Sequence, residues 1–182
     1  MTYDMVLHHD PLAPHQGRTS SHHGSRPPEQ ERRRVRALYE YHIMDSLPET
    51  SYDDIVELAS ELTGAPVAFL AFVDTQRIWV KSSCNLPIAQ LSFEEGPCQL
   101  AVAQDAAFFS ISDMRADART SHLGIAKDFV TYMSAVITAR SGEAVGVLVL
   151  LYEEPTTLDE GRQRKLLLLK KPGSPCGRRG SH

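Results

Sequence analysis

The chain is poor in the features that would mark several common protein classes. Its three cysteines, Cys84, Cys98 and Cys176, form no Cys-x-x-Cys pair and leave one odd. Neither a disulfide framework nor a zinc ribbon is expected from them, and they suit a reducing compartment. No apolar run approaches the ~20 residues that a bilayer-spanning helix needs. The first residues also lack the basic-then-apolar order of a secretory leader, so a soluble, cytoplasmic protein is expected. Positive charge is scarce in the middle of the chain: residues 45–160 carry six basic against eighteen acidic side chains, whereas residues 161–182 carry seven basic and no acidic ones. An acidic body does not grip a phosphate backbone, which takes a clustered positive face, and nucleic acid is not an expected partner.

The 182 residues, 42% of them hydrophobic, are enough for one domain with a core of its own. Its centre is the run Val67 to Val73, in which both alternation sets are apolar; a strand tolerates that only when both of its faces are covered. Asp74 to Arg77 are turn-forming, and residues 78–81 resume an extended pattern, so a hairpin is expected. Residues 108–112, 133–139 and 144–152 read as further strands, the last two joined by a turn in which Gly142 permits positive φ. A largely antiparallel sheet follows.

Helices are expected on either side of these strands. Residues 28–44 have Val35, Leu38, Tyr39 and His42 along one face, and the run Arg32, Arg33, Arg34, Arg36 reads as a solvated face or a contact to an acidic neighbour. Ser46 with Glu49 reads as a capping box for a second helix that buries Tyr52, Ile55, Val56, Ala59 and Leu62 and stops at Gly64 and Pro66. Gly96-Pro97 opens a short helix beginning near Cys98, with Glu94 and Glu95 at its positive end. Thr157 and Glu160 form a further capping box for a last helix near Leu158. Residues 1–28, which hold five of the eight histidines, read as a disordered arm without a metal site. Residues 166–182 read as a basic, disordered tail, which leaves a domain over 29–165.

Several ordered words, RALYEYHIMDSLPETSYDDIVELASELTGAPVAFLAFVDTQRIWVKS, then the Cys98 helix, ISDMRADART and AVGVLVLLYEEPTTL, resemble a GAF domain. The resemblance covers about residues 31–165 and is to the bacterial subset fused to histidine kinases and cyclic-di-GMP signalling proteins. It implies an α+β fold: a six-stranded antiparallel sheet, related to that of PAS domains, with helices packed on one face and a small-molecule pocket on the other, roofed by loops around positions 91–130. Where the subset commonly has Cys-Ala-His, this chain has Cys98-Gln99-Leu100. The arrangement of the cyclic-nucleotide-binding members is not visible. Haem would need an axial imidazole, available within the domain only from His42 or His122.

What the resemblance implies for function is a non-catalytic sensor or regulatory domain that binds a small molecule, forms a homodimer, or both, to control a signalling protein of kinase or cyclase type. The pocket candidates are Trp79, Cys98, Asp113, Arg115, His122 and Tyr132. The dimer-interface candidates are Val35, Leu38 and Tyr39. No cofactor or metal is identified. Cys98 near a helix N-terminus reads either as a thiolate or as a buried structural thiol; the first would allow a redox enzyme similar to the GAF-type reductases of free methionine sulfoxide. A purely structural dimerisation module is the third reading. Asp74 is expected to close its turn, with Arg77 paired to it or to Asp113. Of the loop charges Asp113, Arg115, Asp117, Arg119 and His122, the first two are expected to fix the loop and His122 to reach a ligand.

Overall fold

The computed structural model describes residues 26–92, 95–104 and 106–169. The first twenty-five residues of the expected arm, Glu94, and the expected tail from residue 170, with Cys176, lie outside the described residues. In chain order the elements are α1 (Pro28–Glu40), α2 (Thr50–Thr63), β1 (Val67–Val73), β2 (Arg77–Cys84), β3 (Gln90–Ser92), α3 (Cys98–Ala103), β4 (Phe108–Ile111), a 3-10 turn (Gly124–Lys127), β5 (Thr131–Thr138), β6 (Ala144–Tyr152) and α4 (Glu160–Leu169). The strands form one sheet in the order β3-β2-β1-β6-β5-β4, every neighbour antiparallel. The expected α+β architecture is the observed one.

β1 and β6 sit side by side at the centre and are buried at every position. Alternation then sorts their side chains into two cores. Ala68, Leu70 and Phe72 meet Leu38 of α1, Val56 and Ala59 of α2, and Leu166 of α4. Val67, Phe69, Ala71 and Val73 face the opposite layer, where Cys98 and Ala101 of α3 join Met114, Leu123 and Phe129. Each fully buried Leu, Val or Phe contributes roughly 1.5–3 kcal/mol. Gly146 is the condition for the central pairing: a Cβ there would lie 2.5 Å from the Ala71 carbonyl oxygen of β1. The β5–β6 hairpin turns at Gly142, whose φ is +97°, as the sequence predicts.

A bulge in β2 changes which residues face the helices. Leu70 pairs with Ser82 and Ala71 with Val80, so Lys81 is an extra residue. Before it Ile78 and Val80 point to the α3 side; after it Cys84 points to the helical side, because one inserted residue shifts the alternation by one. The Lys81 side chain has no exposed surface. Its ammonium donates to Ser46 Oγ at 2.7 Å, Leu47 O at 2.5 Å and Glu49 Oε1 at 2.8 Å, and lies 5.1 Å from the Tyr52 ring centre. Next to it Ser82 Oγ donates to Asp53 Oδ1 at 2.5 Å.

These contacts overturn one reading of the sequence. Ser46 and Glu49 do not form a capping box: α2 begins at Thr50, and its N-cap residue Glu49 makes no side-chain capping bond. Both side chains hold Lys81 instead, because a buried ammonium offers a charge-assisted bond that a solvated backbone N–H does not match. Within the arginine run Arg34 takes the second of the two expected roles, a contact to an acidic neighbour. It is buried, pairs with Glu31 at 2.6 Å, and donates to the carbonyls of Val73 and Asp74, tying α1 to the end of β1. Arg77 pairs mainly with Asp45, at 2.6 Å, and only distantly with Asp74, at 4.0 Å.

The C-terminal boundary also moves. Asp159 rather than Thr157 caps α4, its Oδ1 accepting from the Arg162 N–H at 2.9 Å. The helix runs on to Leu169 and buries Leu166 completely, so a boundary at 165 would cut through it. Among the described residues no helix is long and apolar enough to cross a membrane.

Glu49→Ala is expected to lower stability by about 2 kcal/mol in denaturant titration, since it takes a charged partner from a buried ammonium. Asp45→Ala, which frees the part-exposed Arg77, is expected to leave the midpoint nearly unchanged. Equal effects would show that Lys81 reaches water.

Candidate functional site

The layer opposite the long helices is built on α3 and the segment that follows β4. Gly96 sits 3.4 Å, at its Cβ position, from Leu91, and Pro97 precedes the first helical residue. That puts Cys98 at the inner end of the helix, fully buried. Beneath it lie Tyr132 and Ser134, two residues apart on β5 and therefore on one face. The Tyr132 and Ser134 hydroxyls are closed off from solvent, and neither makes a hydrogen bond of good geometry. Their polar neighbours are each other and the Cys98 thiol. Burial pushes the Cys98 thiol up to about 12, the nearby Tyr132 hydroxyl opposing only part of the rise. Burial likewise raises Tyr132 far above a phenol's usual value, with Cys98 adding to it.

The segment after β4 is fixed by its own bonds. Met114 N–H donates to Val130 O at 2.7 Å and Ala116 N–H to Asp113 O at 3.2 Å, while Thr120 Oγ1 donates to Met114 O at 2.8 Å. Its apolar residues Met114, Leu123, Ile125 and Phe129 fill the space over the sheet. Open volume is found beside α3. A cavity of about 380 Å³ lies between α1 and α3, lined among others by Glu31, Arg34, Gln99, Leu100 and Arg119, with Val73 at its base. Arg119 is held by Asp117 at 2.6 Å, which keeps that carboxyl low, at about 2. Its guanidinium stands 5.8 Å from the Phe109 ring centre, and Phe109 meets the edge of Tyr132 at 6.0 Å. Arg119, Phe109, Tyr132 and Cys98 are thus one contiguous chain of contacts.

Of the six expected pocket residues, the structure brings Cys98 and Tyr132 together. Asp113 and Arg115 lie on the segment's outer side, where Asp113 Oδ1 accepts from the Arg115 N–H at 2.9 Å; they shape the turn. His122 is exposed and does not line the described cavity, where Arg119 stands in the place expected for it. Trp79 lies across the sheet: it packs with the helical core, 5.8 Å from Lys81. Strand alternation shows the reason, since Ile78 and Val80 take the α3 side on either side of it. Ser134 and Arg34 were not expected here. Ser134, at an even spacing from Tyr132, was the legible one.

Of the three expected interface residues, Leu38 has no exposed surface and belongs to the chain's own core. Val35 is half-buried and Tyr39 is 49% exposed, its hydroxyl donating to Asp74 Oδ2 at 2.7 Å.

No family model matches the sequence, and no curated protein matches it. Solved structures do match. The GAF domain of the Acinetobacter phosphoenolpyruvate-protein phosphotransferase superposes with a TM-score of 0.57 at 19% identity, over 78% of this chain and 86% of that one. The fold is that of a GAF domain. The GAF domain/HD domain protein of Geobacter sulfurreducens matches with a TM-score of 0.54 at 11% identity, over 66% of this chain and 85% of the other. Free methionine-R-sulfoxide reductase from Neisseria meningitidis, in complex with its substrate, matches with a TM-score of 0.54 at 17% identity, over 83% and 93%. Identities this low carry the GAF fold and leave the chemistry to this chain's own residues.

Because burial pushes the Cys98 thiol up to about 12, the folded chain holds a proton that the unfolded chain gives up. That contribution to stability is complete below the thiol's ordinary value and fades as pH rises toward the raised one. With Cys84 and Cys176 both changed to Ser, the remaining thiol is expected to resist an aromatic disulfide reagent at about pH 8 until the protein is denatured. Prompt labelling of the folded protein would put Cys98 at the surface.

Proposed function

We propose that this GAF domain is a non-catalytic regulatory module of the cytoplasm that senses a small polar molecule and passes its occupancy to the first helix. The observation that carries the reading is the double role of Arg34. The residue borders the cavity beside α3, and its guanidinium is the buried tie from α1 to the Val73 and Asp74 carbonyls. A ligand that accepts hydrogen bonds from Arg119 or competes with Glu31 for Arg34 changes the environment of that tie. A two-state arrangement of α1 then responds in proportion to the ligand's difference in affinity for the two states. The GAF domains of a phosphotransferase and of a GAF/HD protein are similar in fold, in keeping with control of a signalling protein of kinase or cyclase type. The outer face of α1, through Val35 and Tyr39, is where a homodimer or that partner would read the change.

The enzyme reading has two free methionine-R-sulfoxide reductases among the similar folds. Against it, Cys98 is a buried, protonated thiol, and the active form of a thiol nucleophile is the thiolate. Cys84 belongs to the opposite core, across the sheet from Cys98, so those two cannot meet as a redox pair.

A thermal-shift screen of nucleotides, organic acids and other polar metabolites tests the proposal. A hit at one hundred times its Kd should add about 2.7 kcal/mol of stability, and Arg119→Gln should remove the response while leaving the ligand-free melting temperature close to that of the wild type. A blank screen, or a shift indifferent to Arg119, would count against the cavity. Turnover of free methionine sulfoxide by the reduced wild type that is lost in Cys98→Ser would replace this reading with the enzymatic one.

A further inference from the structure

A second cavity, of about 720 Å³, opens between the start of α1, the chain after α3 and the β5–β6 hairpin. Arg26 and Pro27 are part of its wall, and Arg26 also lines the cavity beside α3. The segment that precedes Arg26 is therefore attached to this wall. The point of attachment is fixed: the Arg26 guanidinium donates to the Val102 carbonyl and stands 4.0 Å from Glu31, while Pro27 has φ −53° and ψ 140°. Pro27 and Pro28 each disfavour the helical conformation in the residue before them. α1 cannot extend backwards, and the chain reaches it in extended form.

The rest of the wall suits a polypeptide backbone. Ala103, Ala106, Ala107 and Ala144 present single methyl groups, over which another stretch of chain can pass closely. Gln30, Gln104, Thr138 and Ser141 stand around them, and their amides and hydroxyls both donate to and accept from peptide groups. The charges require no charged occupant, since Arg33 is exposed to water and Glu143 is held low chiefly by the Ser141 hydroxyl. What the sequence attaches to Arg26 is His22-His23-Gly24-Ser25, with small side chains nearest the wall and no carboxylate, lysine or arginine. Extended, four residues reach about 13 Å, enough to cross a space of this volume. We propose that the larger cavity is the seat of this chain's own residues 22–25, which cross it from Arg26 toward the β5–β6 hairpin. Seated there, they pin the start of α1 and keep small molecules out of the larger cavity, so that the one beside α3 is left to a ligand. The seat stands on the cavity wall and does not require the sensing role.

Backbone relaxation and NOE measurements on the full, isotope-labelled chain test this. The amides of His23, Gly24 and Ser25 are expected to have order parameters of about 0.85, as rigid backbone does, against less than about 0.6 for chain moving in solvent. NOEs from Gly24 and Ser25 to the methyl groups of Ala106, Ala107 and Ala144 are expected with them. Ala107→Leu, at an exposed position, puts a larger side chain into the cavity. It should lower the order parameters at 23–25 below about 0.6 and leave the amides of β1 and β6 rigid. Values below about 0.6 at 23–25 in the wild type overturn the proposal, as do ordered residues whose NOEs run to another face or that Ala107→Leu does not release. In an equal mixture of labelled and unlabelled chains, NOEs that pass between copies would seat a second copy's arm there and overturn it equally.

Discussion

β1 and β6 meet at the middle of the sheet with every side chain of both strands buried, and most of the remaining architecture follows from having to cover them twice. A strand apolar on both faces cannot lie on a surface, so a helical layer and an α3 layer are both obligatory. The pairing is also a long-range one: Phe69 lies opposite Val149 and Phe72 opposite Gly146, which joins the first hairpin to the last across most of the domain. Loop closure over that distance precedes the contacts that repay it, so β1 gains its full cover only when β5 and β6 are in place. Gly146 is what lets the two backbones approach that closely.

On the helical side the attachment is made by two buried cations. Lys81 enters from the sheet to bond the chain before α2, and Arg34 enters from α1 to bond the end of β1. Burying such charges costs desolvation that the bonds only partly return, so their contribution is to fix geometry more than to add stability. Each cation finds its acid nearby: Glu49, from the acidic stretch 45–160, for Lys81, and Glu31, in the arginine-rich first helix, for Arg34. The acidic balance that argues against nucleic acid is therefore partly used inside the fold. Arg34 differs from Lys81 in one respect: it also borders a cavity.

The elements legible in the sequence were those set by hydrophobic alternation and by glycine: β1, β6, their hairpin turns at Asp74 and Gly142, and the stop of α2 at Gly64. β3 was implied only by the family resemblance, because three residues with one buried position carry no periodicity. The capping boxes misled for different reasons. Ser46-Glu49 has the right spacing, yet tertiary structure supplies the stronger partner Lys81 for both side chains; Thr157-Glu160 fails locally, because Asp159, next to the first helical residue, takes the capping bond. Trp79 was misplaced by treating its size as the signal, when the parity it shares with neither Ile78 nor Val80 already assigned it to the helical face. Within the site, the pairing of Cys98 with Tyr132 was readable from position in the fold. The burial that keeps Cys98 protonated was not, since it depends on how completely Met114, Leu123 and Phe129 close over the sheet.

The distribution of polar satisfaction separates the two faces of the domain. On the helical side the buried polar groups are matched: Lys81 has three acceptors, Ser82 has Asp53, and the Tyr152 hydroxyl donates to Thr63 O at 3.3 Å. On the other side Tyr132, Ser134 and Glu143 keep closed-off oxygens without a well-formed bond, each at a cost of about 1–3 kcal/mol to the folded state. A native structure tolerates such a cost where another requirement holds the residue. The two cavities border this same side, and Arg26, which lines both, is bonded to the carbonyl of Val102 near the end of α3. A ligand entering either cavity meets α1 directly, through Arg34 in one and Arg33 in the other. The first helix is therefore a wall that the two cavities share.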